Sequence, residues 1–212
     1  MSRTTLNRFA AFAAAGTLAL ALSACGGNDN ATTSPPTSTG SPAPTESAAA
    51  DAQFGPACAN VPRDASDPGS FAGMAKDPVA TAASNNKDLS TLVTAVKEAG
   101  LVDTLNSAQN ITVFAPSNDA FAKIPEADLK KVLADKALLT KILTYHVVGQ
   151  RISPDQLGTA GPYTTLQKGM LPVTGSGTEF EVGPQKAKIM CGNIQTANAT
   201  VYIIDTVMMP PA

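Results

Sequence analysis

The chain has 212 residues, 15 basic and 17 acidic side chains, and a formal charge of −2. Charges this sparse and evenly balanced give no electrostatic footprint for nucleic acid and no polybasic patch for anionic lipid. Tryptophan is absent and aromatic residues make up 5%, so a core must rest on Leu, Val, Ile and Ala.

Phe9–Leu22 is an apolar run preceded by Arg3 and Arg8 and followed by Ser23-Ala24-Cys25. It is too short to span a bilayer, and small residues before a cysteine mark a bacterial export signal of the lipoprotein kind. Removal of residues 1–24 takes away the two arginines, shifting the formal charge from −2 to −4. Cys25 is then expected to carry acyl chains, each buried methylene adding about 0.8 kcal/mol of membrane affinity. Residues 25–53 read as a lipidated cysteine and a Ser/Thr/Pro-rich linker. Ala31–Ala50 contains no aromatic residue and no Ile, Leu, Val or Met. Such a stretch cannot bury enough apolar surface to fold. As a tether it reaches about 30 Å as a flexible coil, and roughly 85 Å if polyproline-like.

Residues 54–212 are long enough for one domain with a real core. Asp77-Pro78 predicts the cap and first turn of a short helix through Ala83. Leu89, Leu92, Val93, Val96 and Ala99 follow at helical spacing, with Gly100 as a stop and a second short helix over Leu101–Ala108. Ile111–Ala115 reads as a buried strand ended by Pro116, and Ser117 as the cap of a turn through Phe121. Pro125 opens a helix carrying Leu129, Val132 and Leu133. Asp135 caps the next, which carries Leu138, Leu139, Ile142 and Leu143. Beyond Tyr145-His146 the period changes. Short β-like runs cover Tyr163–Leu166, Leu171–Thr174, Glu179–Val182, Ala187–Met190, Ile194–Asn198 and Val201–Val207. Helices first and strands afterwards predict an α+β domain rather than an alternating parallel sheet.

With Cys25 acylated, Cys58 and Cys191 remain. Outside the cytoplasm an even pair reads as a disulfide, here closing a loop of about 130 residues and worth about 2–4 kcal/mol. Two free thiols are the alternative; no Cys-x-x-Cys supports a redox centre.

Three stretches in order resemble the fasciclin domain. Ile111-Thr112-Val113-Phe114-Ala115-Pro116-Ser117-Asn118-Asp119-Ala120-Phe121 looks like its first signature box. Ile142–Val148 resembles its central Tyr-His segment, and Val201–Pro210 its closing box, with Met208-Met209 where two leucines are common. The resemblance covers roughly residues 60–210 and extends to single-domain bacterial fasciclin lipoproteins, including the secreted immunogenic proteins of mycobacteria. It implies a twisted β-sandwich or wedge with helices packed on one side. It supports pairing of Cys58 with Cys191, and it implies surface adhesion or recognition without catalysis. In animal fasciclin domains the Tyr-His segment and its aliphatic flanks are linked to integrin binding, which points to Leu139, Ile142, Leu143, Tyr145 and His146 as a candidate binding set.

His146 is the only histidine. At helical spacing from Leu139 and Ile142 it falls on an apolar face, so a hydrogen-bonded structural role is favoured over a catalytic one. One histidine without a carboxylate cluster builds no usual zinc site, and Asp64 and Asp67 near Gly69 lack the further ligands of a calcium loop. Met190, Met208 and Met209 suit core filling better than Cu(I). No cofactor is expected. Asp205 lies in an apolar run and must find donors, for which a backbone clamp near the first signature box is expected. Asn-x-Thr triplets occur at Asn30, Asn110 and Asn198 and carry little weight here. The expected function is a lipid-anchored monomer on the outer face of the cell membrane, recognising a protein or glycan of host or envelope. The alternative is a carrier of an apolar small molecule, such as a lipid or pigment.

Overall fold

The computed structural model describes residues 52–211. The export segment, Cys25 and residues 26–51 of the expected linker lie outside them. A 3-10 turn at Pro56–Asn60 precedes α1 (Phe71–Met74), α2 (Val79–Ser84), a 3-10 turn at Lys87–Leu89, α3 (Ser90–Ala99) and α4 (Val102–Ser107). Then come β1 (Ile111–Pro116), α5 (Asn118–Ala122), α6 (Glu126–Ala134), α7 (Lys136–Tyr145), β2 (Val147–Val148) and α8 (Pro154–Leu157). The remaining strands are β3 (Tyr163–Thr164), β4 (Met170–Leu171), β5 (Val173–Ser176), β6 (Glu179–Val182), β7 (Ala187–Gln195) and β8 (Ala199–Ile204).

Local chemistry accounts for most of these ends. Gly100 turns left-handed at φ 70° and stops α3, a conformation that glycine adopts without a Cβ penalty. The Ser117 side chain accepts the Ala120 N–H, and Asp135 accepts those of Ala137 and Leu138. The expected cap at Asp77 is not made. Pro78 occupies the cap position of α2 without a side-chain bond, and the Val79 N–H goes to Asn198 Oδ1 at 2.8 Å. Asp77 instead receives Asn85 Nδ2 on its carboxylate and the Ala197 N–H on its carbonyl. Helix α8, not expected from the sequence, opens with a Ser153/Gln156 capping box.

Six strands form one sheet in the order β2-β1-β8-β7-β6-β5. Only β1 and β8 run parallel, residue for residue from Ile111–Ala199 to Pro116–Ile204; the other pairs are antiparallel. The runs expected at Ala187–Met190 and Ile194–Asn198 are one strand, β7, interrupted by register shifts around Cys191. Such bulges bend a strand, and the sheet curls into a half-barrel with helices on one side. The layers expected as a sandwich or wedge are made by this single curled sheet and the short β3–β4 ribbon. The ribbon bridges to β2 through Val148 and Thr165.

Every residue of β1 and β8 is buried, because both faces of the central pair are covered. The strand alternation divides them cleanly. Ile111, Val113, Ala115, Val201 and Ile203 pack under the helices with Leu92, Ala95, Val96, Leu139 and Ile142. Phe114, Tyr202 and Ile204 face the inside of the curl with Phe180, Val182, Leu171 and Met208. There the Phe114 and Tyr202 rings stack at 5.7 Å.

The start of the domain is stitched to β7. Phe54 and Gly192 exchange backbone hydrogen bonds, N–H to O at 3.3 and 2.7 Å. Asn193 Nδ2 donates to the Ala52 carbonyl at 3.2 Å, so the last part of the expected linker already touches the sheet. Cys58 and Cys191 form a disulfide with Cα atoms 4.9 Å apart, spanning 133 residues.

Candidate functional site

Helix α7 and the turn after it hold the Tyr-His segment. Leu139, Ile142 and Leu143 lie on the face of α7 that packs on the sheet, and Tyr145 and His146 close it; all five are buried. They therefore form no exposed patch, and the candidate binding set becomes a packing cluster. The Tyr145 hydroxyl donates to the Met170 carbonyl at 3.1 Å, and burial pushes its pKa up.

His146 ties three elements together. Its N–H reaches the Ile142 and Leu143 carbonyls, and its carbonyl accepts the Phe114 N–H at 2.9 Å. The ring Nδ1 lies 2.8 Å from the Ile142 carbonyl and so carries the proton; Nε2 accepts the Met208 N–H at 2.9 Å. Burial lowers its pKa from 6.5 to about 4, partly opposed by the bond to Ile142. A neutral ring with both nitrogens committed has no lone pair left for a substrate proton.

Asp205 sits just beyond β8, half-buried. Its Oδ1 accepts the Lys188 N–H of β7 at 2.8 Å and the Thr206 hydroxyl at 3.0 Å. Its Oδ2 pairs with Lys123 at 2.9 Å. The backbone donor thus comes from the neighbouring strand rather than from the first signature box, because the antiparallel register brings Lys188 alongside. Burial alone would raise its pKa, but the bonds from Lys123, Lys188 and Thr206 hold it below the usual carboxylate range.

Asn198, noted in the sequence only for its Asn-x-Thr triplet, is a buried side chain that joins α2 to the end of α4. It is 3% exposed. Besides capping α2 it donates through Nδ2 to the Leu105 and Ala108 carbonyls at 2.7 and 2.6 Å. Its signal in the sequence was a lone asparagine flanked by strand residues, which specifies none of these partners.

No group of three His, Cys, Asp or Glu gathers among the described residues. Asp64 is engaged by Ser66, whose backbone and hydroxyl donors lower its pKa. Met208 packs in the curl and Met209 against the helical side, so the two thioethers do not share a site.

Two features remain open to a partner. The β3–β4 hairpin exposes Leu166 and Met170, two of the three large apolar side chains exposed among the described residues. Beside it lies a shallow depression of about 430 Å³ lined by Gly149, Gln150, Tyr163, Thr164 and Thr165. The second feature is a cavity of about 190 Å³ between α2–α4 and strands β1, β7 and β8, walled mainly by aliphatic side chains. No helix among the described residues is long and apolar enough to cross a membrane.

The fasciclin domain model matches residues 87–210. The chain is 47% identical over 171 residues to immunogenic protein MPB70 of Mycobacterium bovis, covering 78% of this chain and 86% of that protein. It is 46% identical over 190 residues to cell surface glycolipoprotein MPB83 of the same species, covering 85% and 84%. Among solved structures it is similar to a FAS1 domain pair from the insect cell adhesion molecule fasciclin I, with 25% identity and a TM-score of 0.49. That alignment covers 58% of this chain and 46% of the other. On the extent of the domain match and the identity to the mycobacterial proteins, this chain belongs to the fasciclin domain family.

Proposed function

We propose that this protein is an extracytoplasmic recognition module, anchored by acyl chains on Cys25, that binds a protein or glycan of the host or envelope. The observation that carries the reading is the exposed Leu166–Met170 hairpin beside a shallow depression with polar walls. Apolar anchors next to hydrogen-bonding groups form the usual anatomy of a recognition patch. The relative MPB83 is called a cell surface glycolipoprotein, which supports the same placement here. Catalysis is no part of this reading, since the one imidazole is spent on structure. The test is capture from envelope extracts and host-cell surfaces by the full chain and by Met170→Asp, with Leu138→Asp as the control for an exposed leucine elsewhere. A partner lost only with Met170→Asp supports the hairpin; equal capture by all three removes it. Anchoring is tested separately, since Cys25→Ser should move the protein from the membrane to the soluble fraction.

The apolar cavity favours a second reading, carriage of an apolar small molecule.

A further inference from the structure

The thioethers of this chain are unequally placed. Met74 packs under the helices and Met208 inside the curl, both buried, and Met190 and Met209 are half-buried. Met170 is 54% exposed, more than any other large apolar side chain among the described residues. Its main chain, by contrast, is held on two sides. Met170 pairs with Thr164 in the β3–β4 ribbon, and its carbonyl accepts the hydroxyl of buried Tyr145 at 3.1 Å. Across the ribbon the Thr164 hydroxyl donates to the Met170 sulfur at 3.8 Å. A fixed backbone thus presents a sulfur to solvent with a hydroxyl beside it.

A thioether has no proton to lose before it reacts, so access of the oxidant decides which methionine is oxidised. A buried sulfur reacts only when the structure around it opens. Met170 belongs to neither hydrophobic core, so a change at its sulfur leaves the packing of both intact.

We propose that Met170 is a site of reversible oxidation by hydrogen peroxide, and that its conversion to the sulfoxide switches off the recognition patch of the hairpin. The sulfur lone pair attacks one peroxide oxygen and the O–O bond breaks. The departing hydroxide takes the proton of the transferred oxygen and leaves as water. Sulfur gives up two electrons and peroxide takes them. The product is polar where an apolar side chain stood, and its oxygen is a stronger acceptor than sulfur for the neighbouring Thr164 hydroxyl. The hairpin loses one of its two exposed apolar side chains, Leu166 and Met170. A methionine sulfoxide reductase reverses the step. The consequence for binding rests on the recognition reading above; the modification itself does not.

The test treats the full chain with dilute hydrogen peroxide and follows the sulfoxide of each methionine by peptide mass spectrometry. Met170 should be oxidised at least about tenfold faster than Met74 and Met208, which react only through opening, and ahead of Met190 and Met209. Oxidation of Met190 or Met209 as fast as Met170 overturns the site. With one oxygen added per chain the urea midpoint should stay unchanged; a fall overturns the confinement of the change to the hairpin. Untreated and oxidised chains are then compared in capture from envelope extracts and host-cell surfaces. Oxidation should abolish the capture that Met170→Asp also loses, and the reductase should restore it. Met170→Leu, apolar but without sulfur, should capture equally before and after peroxide; its loss on treatment assigns the effect elsewhere and overturns the switch. Capture that survives oxidation but not Met170→Asp overturns the switch and leaves the recognition reading standing. Capture indifferent to Met170→Asp overturns that reading and the switch with it, while the mass spectra still decide the site.

Discussion

The Met208 backbone N–H donates to Nε2 of His146 at 2.9 Å, across 62 residues of sequence. With Nδ1 held by Ile142 on the other side, the imidazole joins the end of α7 to the C-terminal segment. Protonation would set an N–H against an N–H in a site 2% exposed.

The consequence is acid sensitivity with a defined window. The folded pKa is about 4 against an ordinary value of 6.5. Above pH 6.5 both folded and unfolded chains hold a neutral ring, and the full stability is present. As pH falls towards 4 the unfolded chain takes up the proton and the folded one resists, so stability declines by about 2 kcal/mol by pH 5. Denaturant midpoints at pH 7.5 and 5 should show this fall in the wild type and a much smaller one in His146→Gln. An equal fall in both would assign the acid response to other groups.

Asn198 should be the most sensitive buried polar position. Replacement by Ala leaves the Val79 N–H and the Leu105 and Ala108 carbonyls without their partner. At about 1–3 kcal/mol for each buried group abandoned, partly restored by water, the expected loss is at least about 3 kcal/mol. Asn198→Asp can still cap α2 but turns an oxygen towards the two carbonyls. It should therefore be no milder than Ala in urea unfolding; a near-wild-type midpoint for either variant would remove the keystone role.

Much of this arrangement was legible in the sequence, and the parts that were not share a cause. Caps at Ser117 and Asp135 and the stop at Gly100 depend on neighbours within four residues, so local chemistry specified them. The continuous apolar run at Ile111–Ala115 signalled a buried strand, which β1 is; the β-like run expected at Val201–Val207 is β8, which ends at Ile204 and is buried throughout. Asp77 looked like a cap, but a residue 119 positions from Val79 supplies the bond instead. Likewise the bulge that makes β7 one strand depends on the partner β8, and two apolar runs around Gly192-Asn193 gave no sign of it. The Tyr-His segment was found by its pattern and helical spacing put His146 on an apolar face, but its partner, the Met208 N–H 62 residues on, came only from tertiary packing.

Lys123 and Asp205 allow a pairwise test. The ion pair is half exposed on the lysine side, so Lys123→Ala should lower stability by under about 1 kcal/mol. Asp205→Ala also strips the Lys188 N–H of its acceptor and should reach about 1–3 kcal/mol. Asp205→Asn keeps an oxygen for that N–H and should resemble Lys123→Ala. If Asp205→Asn proves as harmful as Asp205→Ala, the charge rather than the backbone bond dominates.

The strap from Phe54 to Cys58 should behave as one cooperative unit. A Cβ on Gly192 would run into the Phe54 ring, and that ring packs 5.7 Å from Phe180 and 6.2 Å from Tyr202. Gly192→Ala must therefore push Phe54 off the sheet or strain β7, an overpacking effect of about 1–3 kcal/mol. Removing the disulfide with Cys58→Ser and Cys191→Ser should lower stability by about 2–4 kcal/mol. Without the covalent tie Phe54 can lift away, so Gly192→Ala should matter less in the disulfide-free background than in the wild type. Sites that share a contact couple in this way, whereas distant ones add. Thermal or urea unfolding of the three variants measures the difference, and strictly additive losses would mean that ring and disulfide hold the strap independently.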